Sequence, residues 1–246
     1  MYLQISTLCN MSCPHCCYDT SRVKGRFSHM SMETVRAALY WYGRREEVGN
    51  IGRLDIGGGE PTCHPEFWTV LAYCVETMAA MGKAKPWMVT NGKRKVYALR
   101  LASLAKEGVI SCGLSQDRWH EPVDPEVVAA FMESGRRNGH LRDAHGHPVL
   151  DGRFVQDVGA KGRDPIRSGR CDWGRVECNG SGRPWVMTNG EVRQCGCLDS
   201  PVVGTVFAGF RPKDDVWSCW KGLVNPNTHR HQDRDIWGKE VDRRMA

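Results

Sequence analysis

Four short apolar segments, residues 2–5, 51–56, 86–90 and 109–114, each run into cysteine, glycine or small polar residues and then toward a helix-forming stretch. Parallel strands need a crossover of a dozen or more residues, usually a helix, so this alternation predicts βα units and an α/β fold. Helices are expected at residues 32–44, about 66–81, 96–107 and about 125–134. Ser31 is the expected N-cap of the first, with Met32, Val35, Leu39 and Tyr42 along one side. Residues 153–158 read as a weaker fifth strand. From about residue 165 glycine and arginine become frequent and helical periodicity fades. A boundary is therefore expected there, dividing residues 1–165 from 166–246.

Every suggestive motif of the first part follows a strand. These are a cysteine loop, the glycines Gly57, Gly58 and Gly59, the triplet Thr90-Asn91-Gly92, and Ser115-Gln116-Asp117. In parallel α/β folds the carboxyl ends of the strands share one rim, where ligands bind, so all four are expected at one mouth.

The chemistry is expected from cysteine. Twelve in 246 residues is well above ordinary usage yet below the roughly 8–10% of a disulfide scaffold, and a chain this long buries a core without staples. The N-terminus has no basic region and apolar core of a secretory signal, so reduced thiols and a cytoplasmic location are expected, with metal binding or catalysis as their use. No apolar run approaches the roughly 18 residues that span a bilayer, and no membrane partner is expected. The net charge of +6 is spread evenly over both halves, which permits a nucleic-acid partner without requiring one.

Cys9, Cys13 and Cys16 have the spacing C-x3-C-x2-C, so a compact loop can aim three thiolates at one iron–sulfur cluster, leaving one iron of a four-iron cluster open. Buried free thiols, or a zinc loop completed by His15 or Cys17, are the competing readings of that spacing alone. Together with the Gly57-Gly58-Gly59-Glu60-Pro61 run after the second strand and Val89-Thr90-Asn91-Gly92 after the third, the loop resembles the radical SAM superfamily over about residues 1–165. The resemblance implies a partial (β/α)6 TIM-like barrel followed by a small cysteine-rich C-terminal module. It implies that Cys9, Cys13 and Cys16 bind a [4Fe–4S] cluster whose open iron chelates S-adenosylmethionine. That cofactor would be cleaved reductively to a 5′-deoxyadenosyl radical, which abstracts a substrate hydrogen. A reductant such as flavodoxin or ferredoxin is the implied partner. His15 falls where the family often has an aromatic residue near the adenine, and Gly57, Gly58, Gly59 and Glu60 fall at the methionine end of the cofactor. Glycines let backbone approach a ligand closely, and a carboxylate accepts from an ammonium group. Thr90, Asn91, Ser115 and Asp117 are short polar residues suited to ribose hydroxyls, or to turns and caps. His120, in the run Trp119-His120-Glu121-Pro122, is a candidate for handling substrate protons.

The second cysteine group is Cys171, Cys178, Cys195 and Cys197. Residues 185–193 read as two short strands joined at Asn189-Gly190, a strong hairpin pattern. The arrangement resembles the twitch or SPASM region of some radical SAM enzymes, except that the family's further cysteine pairs are missing and only Cys219 remains. One auxiliary [4Fe–4S] cluster is therefore expected on these four, with Cys219 as the substitute ligand; four thiolates also suit tetrahedral zinc. The substrate expected first is a modified, thymine-type nucleobase in DNA. The compact chain looks similar to radical SAM proteins of bacteriophages, and Arg153, Lys161, Arg163, Arg167, Arg170 and Arg175 make the join basic. Peptide modification is the alternative, opposed by the few residues ahead of the first strand. A non-catalytic iron–sulfur electron carrier is the alternative of another class, opposed by the intact glycine segment.

Overall fold

A computed structural model describes residues 1–13, 27–44, 53–115, 120–138, 184–194 and 200–210, with residues 135–138 as backbone alone. In chain order the elements are β1 (Tyr2–Ser6), α1 (Met32–Gly43), β2 (Asp55–Gly58), a 3-10 turn (Pro61–Cys63), α2 (Phe67–Ala80), β3 (Trp87–Thr90), α3 (Lys95–Lys106), β4 (Ser111–Leu114), α4 (Pro125–Asn138), and four short strands: β5 (Trp185–Val186), β6 (Glu191–Arg193), β7 (Val202–Thr205) and β8 (Gly209–Phe210). The α/β class read from the alternation is the class found. The expected strand at 153–158 and the expected boundary near 165 lie outside the described residues.

One sheet carries all eight strands in the order β4-β3-β2-β1-β5-β6-β7-β8. β1 to β4 pair in parallel, each joined to the next through a helix, and β5 adds in parallel to the other side of β1. β6, β7 and β8 then pair antiparallel. The Asn189-Gly190 hairpin forms as expected: Gly190 donates its N–H to the Met187 carbonyl at 2.9 Å and takes φ +84°, a conformation glycine adopts freely. Its docking beside β1 is new, since a two-residue strand shows no periodicity from which to read its partner.

The register sets two rows of side chains. Leu3, Ile56, Met88, Cys112 and Val186 line up across five strands, all almost wholly buried. They share one core with the apolar faces of the helices: Val35, Ala38, Leu39 and Tyr42 of α1, Phe67, Val70, Leu71, Cys74 and Met78 of α2, and Ala98, Leu101, Ala102 and Ala105 of α3. Those positions recur at helical spacing, which is why the helices were legible. Ser31 caps α1 by accepting from the Thr34 N–H at 3.1 Å, a contact worth about 1 kcal/mol. The alternate row, Tyr2, Asp55, Trp87, Ser111 and Trp185, is aromatic and polar and lies at the amino ends of the strands. Tyr2 and Trp185 rings lie 3.9 Å apart, and the Arg53 guanidinium sits 4.6 Å from the Trp87 ring centroid while pairing with Asp55 at 2.5 Å.

Between β1 and β2 the register shifts after Gln4, and the strand exits close tightly. Gly59 donates to the Ser6 carbonyl at 2.7 Å and Glu60 to the Leu8 carbonyl at 2.8 Å. A Cβ on Gly58 would lie 2.1 Å from the Ser6 carbonyl oxygen, and one on Gly59 would lie 2.4 Å from that of Leu8. What approaches Gly58 and Gly59 is the chain's own backbone, at Ser6 and Leu8. Gly58→Ala is expected to cost at least about 2 kcal/mol, because φ is +149° and the obstacle is backbone. Gly82→Ala, at φ +62° with open space around the new methyl, should cost only about 1 kcal/mol. Urea denaturation of the two variants checks the difference; equal losses would show that the β1–β2 exit is not tight.

Candidate functional site

Glu60 ends the glycine run and is 1% exposed. Its Oε1 accepts from the Thr62 N–H at 3.2 Å, the Thr62 hydroxyl at 2.6 Å and the Thr90 hydroxyl at 2.8 Å; its Oε2 accepts from the Asn91 N–H at 2.8 Å. Burial pushes the Glu60 carboxyl up from the ordinary range, and these donors partly offset it. This carboxylate is thus occupied by its own chain rather than offered to an ammonium group, a departure from the expected role. Only the Thr62 part of this is local: Glu60 caps the 3-10 turn, with Pro61 at the first position of that turn.

Thr90 and Asn91 end β3. The Thr90 hydroxyl, besides donating to Glu60, accepts from the Gly92 N–H at 3.2 Å. The Asn91 Oδ1 accepts from the Lys93 N–H at 3.0 Å, and its Nδ2 donates to Asn10 Oδ1 at 2.8 Å and to Cys9 Sγ at 3.7 Å. Both residues therefore frame the mouth, in the turn and capping use that stood beside ribose binding as an expectation. Gly92, at φ +75°, closes the turn against Leu114, Val123 and Val127.

The cysteine loop leaves β1 across this frame. Leu8 donates its N–H to Ser6 Oγ at 3.0 Å, and Met11 donates its N–H to Cys9 Sγ at 3.4 Å. Cys9 and Cys13 are half-buried on the same loop. Two N–H donors at Cys9 Sγ suit a thiolate. Among the described residues no three His, Cys, Asp or Glu gather as a ligand set; Cys16, the third cysteine of the motif, lies outside them, as do His15 and Cys17. Cys63 is half-buried beside the loop, its thiol pushed up by burial and by Glu60 and held back by Arg94 and the Asn10 N–H. Cys74 and Cys112 are fully buried, and burial pushes the Cys74 thiol up to about 12 and that of Cys112 well above its usual range. Neither is a ligand candidate, in keeping with their isolation in sequence.

Ser115 is half-buried at the exit of β4, its N–H on the Thr90 carbonyl at 2.8 Å. His120 is half-buried just ahead of Glu121, which pairs with Lys93 at 2.7 Å and so ties the loop after β4 to the loop after β3. Asp117 and the whole second cysteine group, Cys171, Cys178, Cys195, Cys197 and Cys219, lie outside the described residues, as does the basic run 153–175. Sequence reasoning missed Ser6 and Thr62, which bond Leu8 and Glu60 two residues away, and Asn10, which meets Asn91 across strand exits. It also missed Arg94, which donates to the Thr62 carbonyl and stacks on Tyr97 with 3.7 Å from the guanidinium carbon to the ring centroid.

No protein-family model matches the chain. Over 93 residues it is 31% identical to GTP 3′,8-cyclase of Tolumonas auensis, a stretch that is 37% of this chain and 25% of that protein, so the chain spans about a quarter of this curated relative. Among solved structures it is similar to BtrN in complex with AdoMet and 2-DOIA, with a TM-score of 0.57 and 15% identity over 85% of this chain and 78% of that one. It is also similar to native anSMEcpe with bound AdoMet and Cp18Cys peptide, with a TM-score of 0.51 and 16% identity over 85% and 77%. At such identities the likeness is one of fold.

Glu60→Gln is expected to destabilise the protein by about 1–3 kcal/mol, the usual cost of an unsatisfied buried polar group. A carboxamide has one acceptor oxygen, so either the Asn91 or the Thr62 N–H would face its NH2 group. Chemical denaturation measures the loss; a wild-type midpoint would show that the carboxylate does not organise the mouth.

Proposed function

We propose that the chain is a radical SAM enzyme, one that cleaves S-adenosylmethionine reductively; the fold it shares with the AdoMet-bound structures and the stretch it shares with GTP 3′,8-cyclase support this reading. The observation that carries the proposal is the surroundings of Cys9: its sulfur receives N–H groups from Met11 and Asn91, on a loop clamped to the glycine run and the Asn91 turn. Such a donor set fits a sulfur that bears negative charge on iron, and Cys13 stands on the same loop, so the described residues fit a cluster that Cys9, Cys13 and, from the sequence motif, Cys16 would hold. When bound, that [4Fe–4S] cluster supplies the electron for cleavage of the cofactor.

The chain's own residues do the positioning. Glu60 holds Thr90 and Asn91 from below, leaving the backbone of Gly57, Gly58 and Gly59 and the Ser115 side chain, with His15 and Asp117, as the residues to carry the cofactor. His120 is the candidate for a substrate proton. The second cysteine group would hold an auxiliary [4Fe–4S] cluster on Cys171, Cys178, Cys195 and Cys197, with Cys219 as the replacement ligand.

For the substrate we favour a nucleobase of modified thymine type in DNA. The basic residues at the join support it, since the arginine fork bonds two phosphate oxygens at once. The curated relative acts, by its name, on a nucleotide. The peptide in the anSMEcpe structure is what favours the second reading, peptide modification.

Anaerobic reconstitution tests the chemistry. The wild type should bind about eight irons, as two four-iron clusters, and form 5′-deoxyadenosine with a flavodoxin- or ferredoxin-type reductant. Replacing Cys9, Cys13 and Cys16 together by Ala should abolish that product and leave about four irons. Product surviving in the triple variant would overturn the assignment, as would iron without product, which would mark an electron carrier. About four irons with one zinc in the wild type would make the second group a structural site.

DNA binding tests the substrate. Its affinity should fall by about 0.9 log unit per log unit of salt for each phosphate neutralised. No binding at low salt, or binding indifferent to salt, would favour the peptide.

A further inference from the structure

Asn91 is built into the mouth more firmly than a ligand-reading side chain needs to be. It is 7% exposed, its backbone N–H is fixed by the buried Glu60 carboxylate at 2.8 Å, and the next residue, Gly92, sits where a side chain would strike Leu114, Val123 and Val127. The orientation of its amide follows from its neighbours. Oδ1 must face the Lys93 N–H, which can only donate. The NH2 end is therefore the one directed at Asn10 Oδ1, 2.8 Å away, and Cys9 Sγ, 3.7 Å away. Turning the amide over would put Oδ1 against a sulfur and an oxygen and set NH2 against N–H, so it is disfavoured at both ends.

We propose that Asn91 is a positioning residue whose amide donates to Cys9 Sγ and thereby raises the reduction potential of the cluster held there. The inference deepens the proposed function and rests on it. One-electron reduction adds negative charge to the cluster and its thiolates. A donor aimed at one of those sulfurs stabilises the reduced state more than the oxidised one, and hydrogen bonds to the sulfurs are among the determinants of such potentials. Glu60 sets the backbone of Asn91, Lys93 sets its amide plane, and Asn10 shares the second N–H. The donor thus meets the sulfur without losing entropy when the loop takes up iron.

The test is a dithionite titration followed by electron paramagnetic resonance on reconstituted wild type, Asn91→Ala and Asn91→Asp. The signal read is the one that changes when S-adenosylmethionine is added, which separates it from any other cluster. Asn91→Asp keeps the acceptor for Lys93 and puts a carboxylate oxygen where the donor was. Its reduction equilibrium constant should fall about tenfold, about 59 mV for one electron. Asn91→Ala removes the donor without adding charge and should fall between that variant and wild type; it also reports if the Asp variant fails to fold. Equal potentials in loaded proteins would overturn the inference and leave the proposed function standing. Wild type without a cofactor-responsive signal would overturn the proposed function, and the inference with it.

Discussion

A carboxylate taken out of water costs several kcal/mol unless donors replace the solvent, and Glu60 has four of them, drawn from Thr62, Thr90 and Asn91. The donors come from two strand exits, so the penalty is offset only when β2 and β3 end at the same level and the Thr62 turn has formed. The rest of the mouth depends on that condition. Asn91 reaches Cys9 because its backbone is fixed by Glu60. Thr90 in turn sets Gly92 through its hydroxyl and Ser115 through its carbonyl. A buried charge is an expensive way to join loops, but its demand for donors specifies a single arrangement where an apolar contact would tolerate several.

The second constraint is backbone against backbone. Gly58 and Gly59 let the exit of β2 close on Ser6 and Leu8, and the paired N–H groups of Gly59 and Glu60 then fix the start of the cysteine loop. The segment Gly58-Gly59-Glu60 thus serves two contacts at once, the loop on one side and the Glu60 donors on the other. This explains why glycine and glutamate sit together there.

Local structure was legible wherever the interaction is local. Ser31 ahead of α1, the helical spacing of Val70, Cys74 and Met78, and the Asn189-Gly190 turn all act within a few residues of themselves, and each stands where the sequence placed it. The exits of β1 to β4 were legible for the same reason, and the gathering of their motifs followed from parallel pairing. Three features were not legible. Glu60 faces inward because of partners 30 and 31 residues away. β5 joins β1 across more than 180 residues through a pair of two-residue contacts and the Tyr2–Trp185 stack. The β7–β8 hairpin is held to α1 by the Trp41 indole N–H on the Val206 carbonyl at 2.8 Å, with Gly209 bare beneath that ring. Contacts of that range leave no period in the sequence to read.

The docking of β5 bears directly on where chemistry can gather. Because β5 runs parallel to β1, its exit points to the same rim, and the Thr188 hydroxyl meets that of Ser28 at 2.6 Å beside the start of the cysteine loop. The hairpin thereby adds a fifth strand exit to the four that carry the motifs. β6 then runs back, so Gln194, the last described residue before Cys195, stands at the level of Met1, at the end of the sheet opposite Cys9. The two ends differ in kind. At the amino ends lie the aromatic rings of Tyr2, Trp87 and Trp185 with the Arg53–Asp55 pair; at the carboxyl ends lie thiols, hydroxyls, amides and bare backbone. A parallel sheet imposes this polarity, since every crossover returns the chain to the same starting edge and leaves the exits free to vary. In this chain an added hairpin strand extends that polarity across β1, bringing a further loop to the cysteine mouth while its return strand leads away from it.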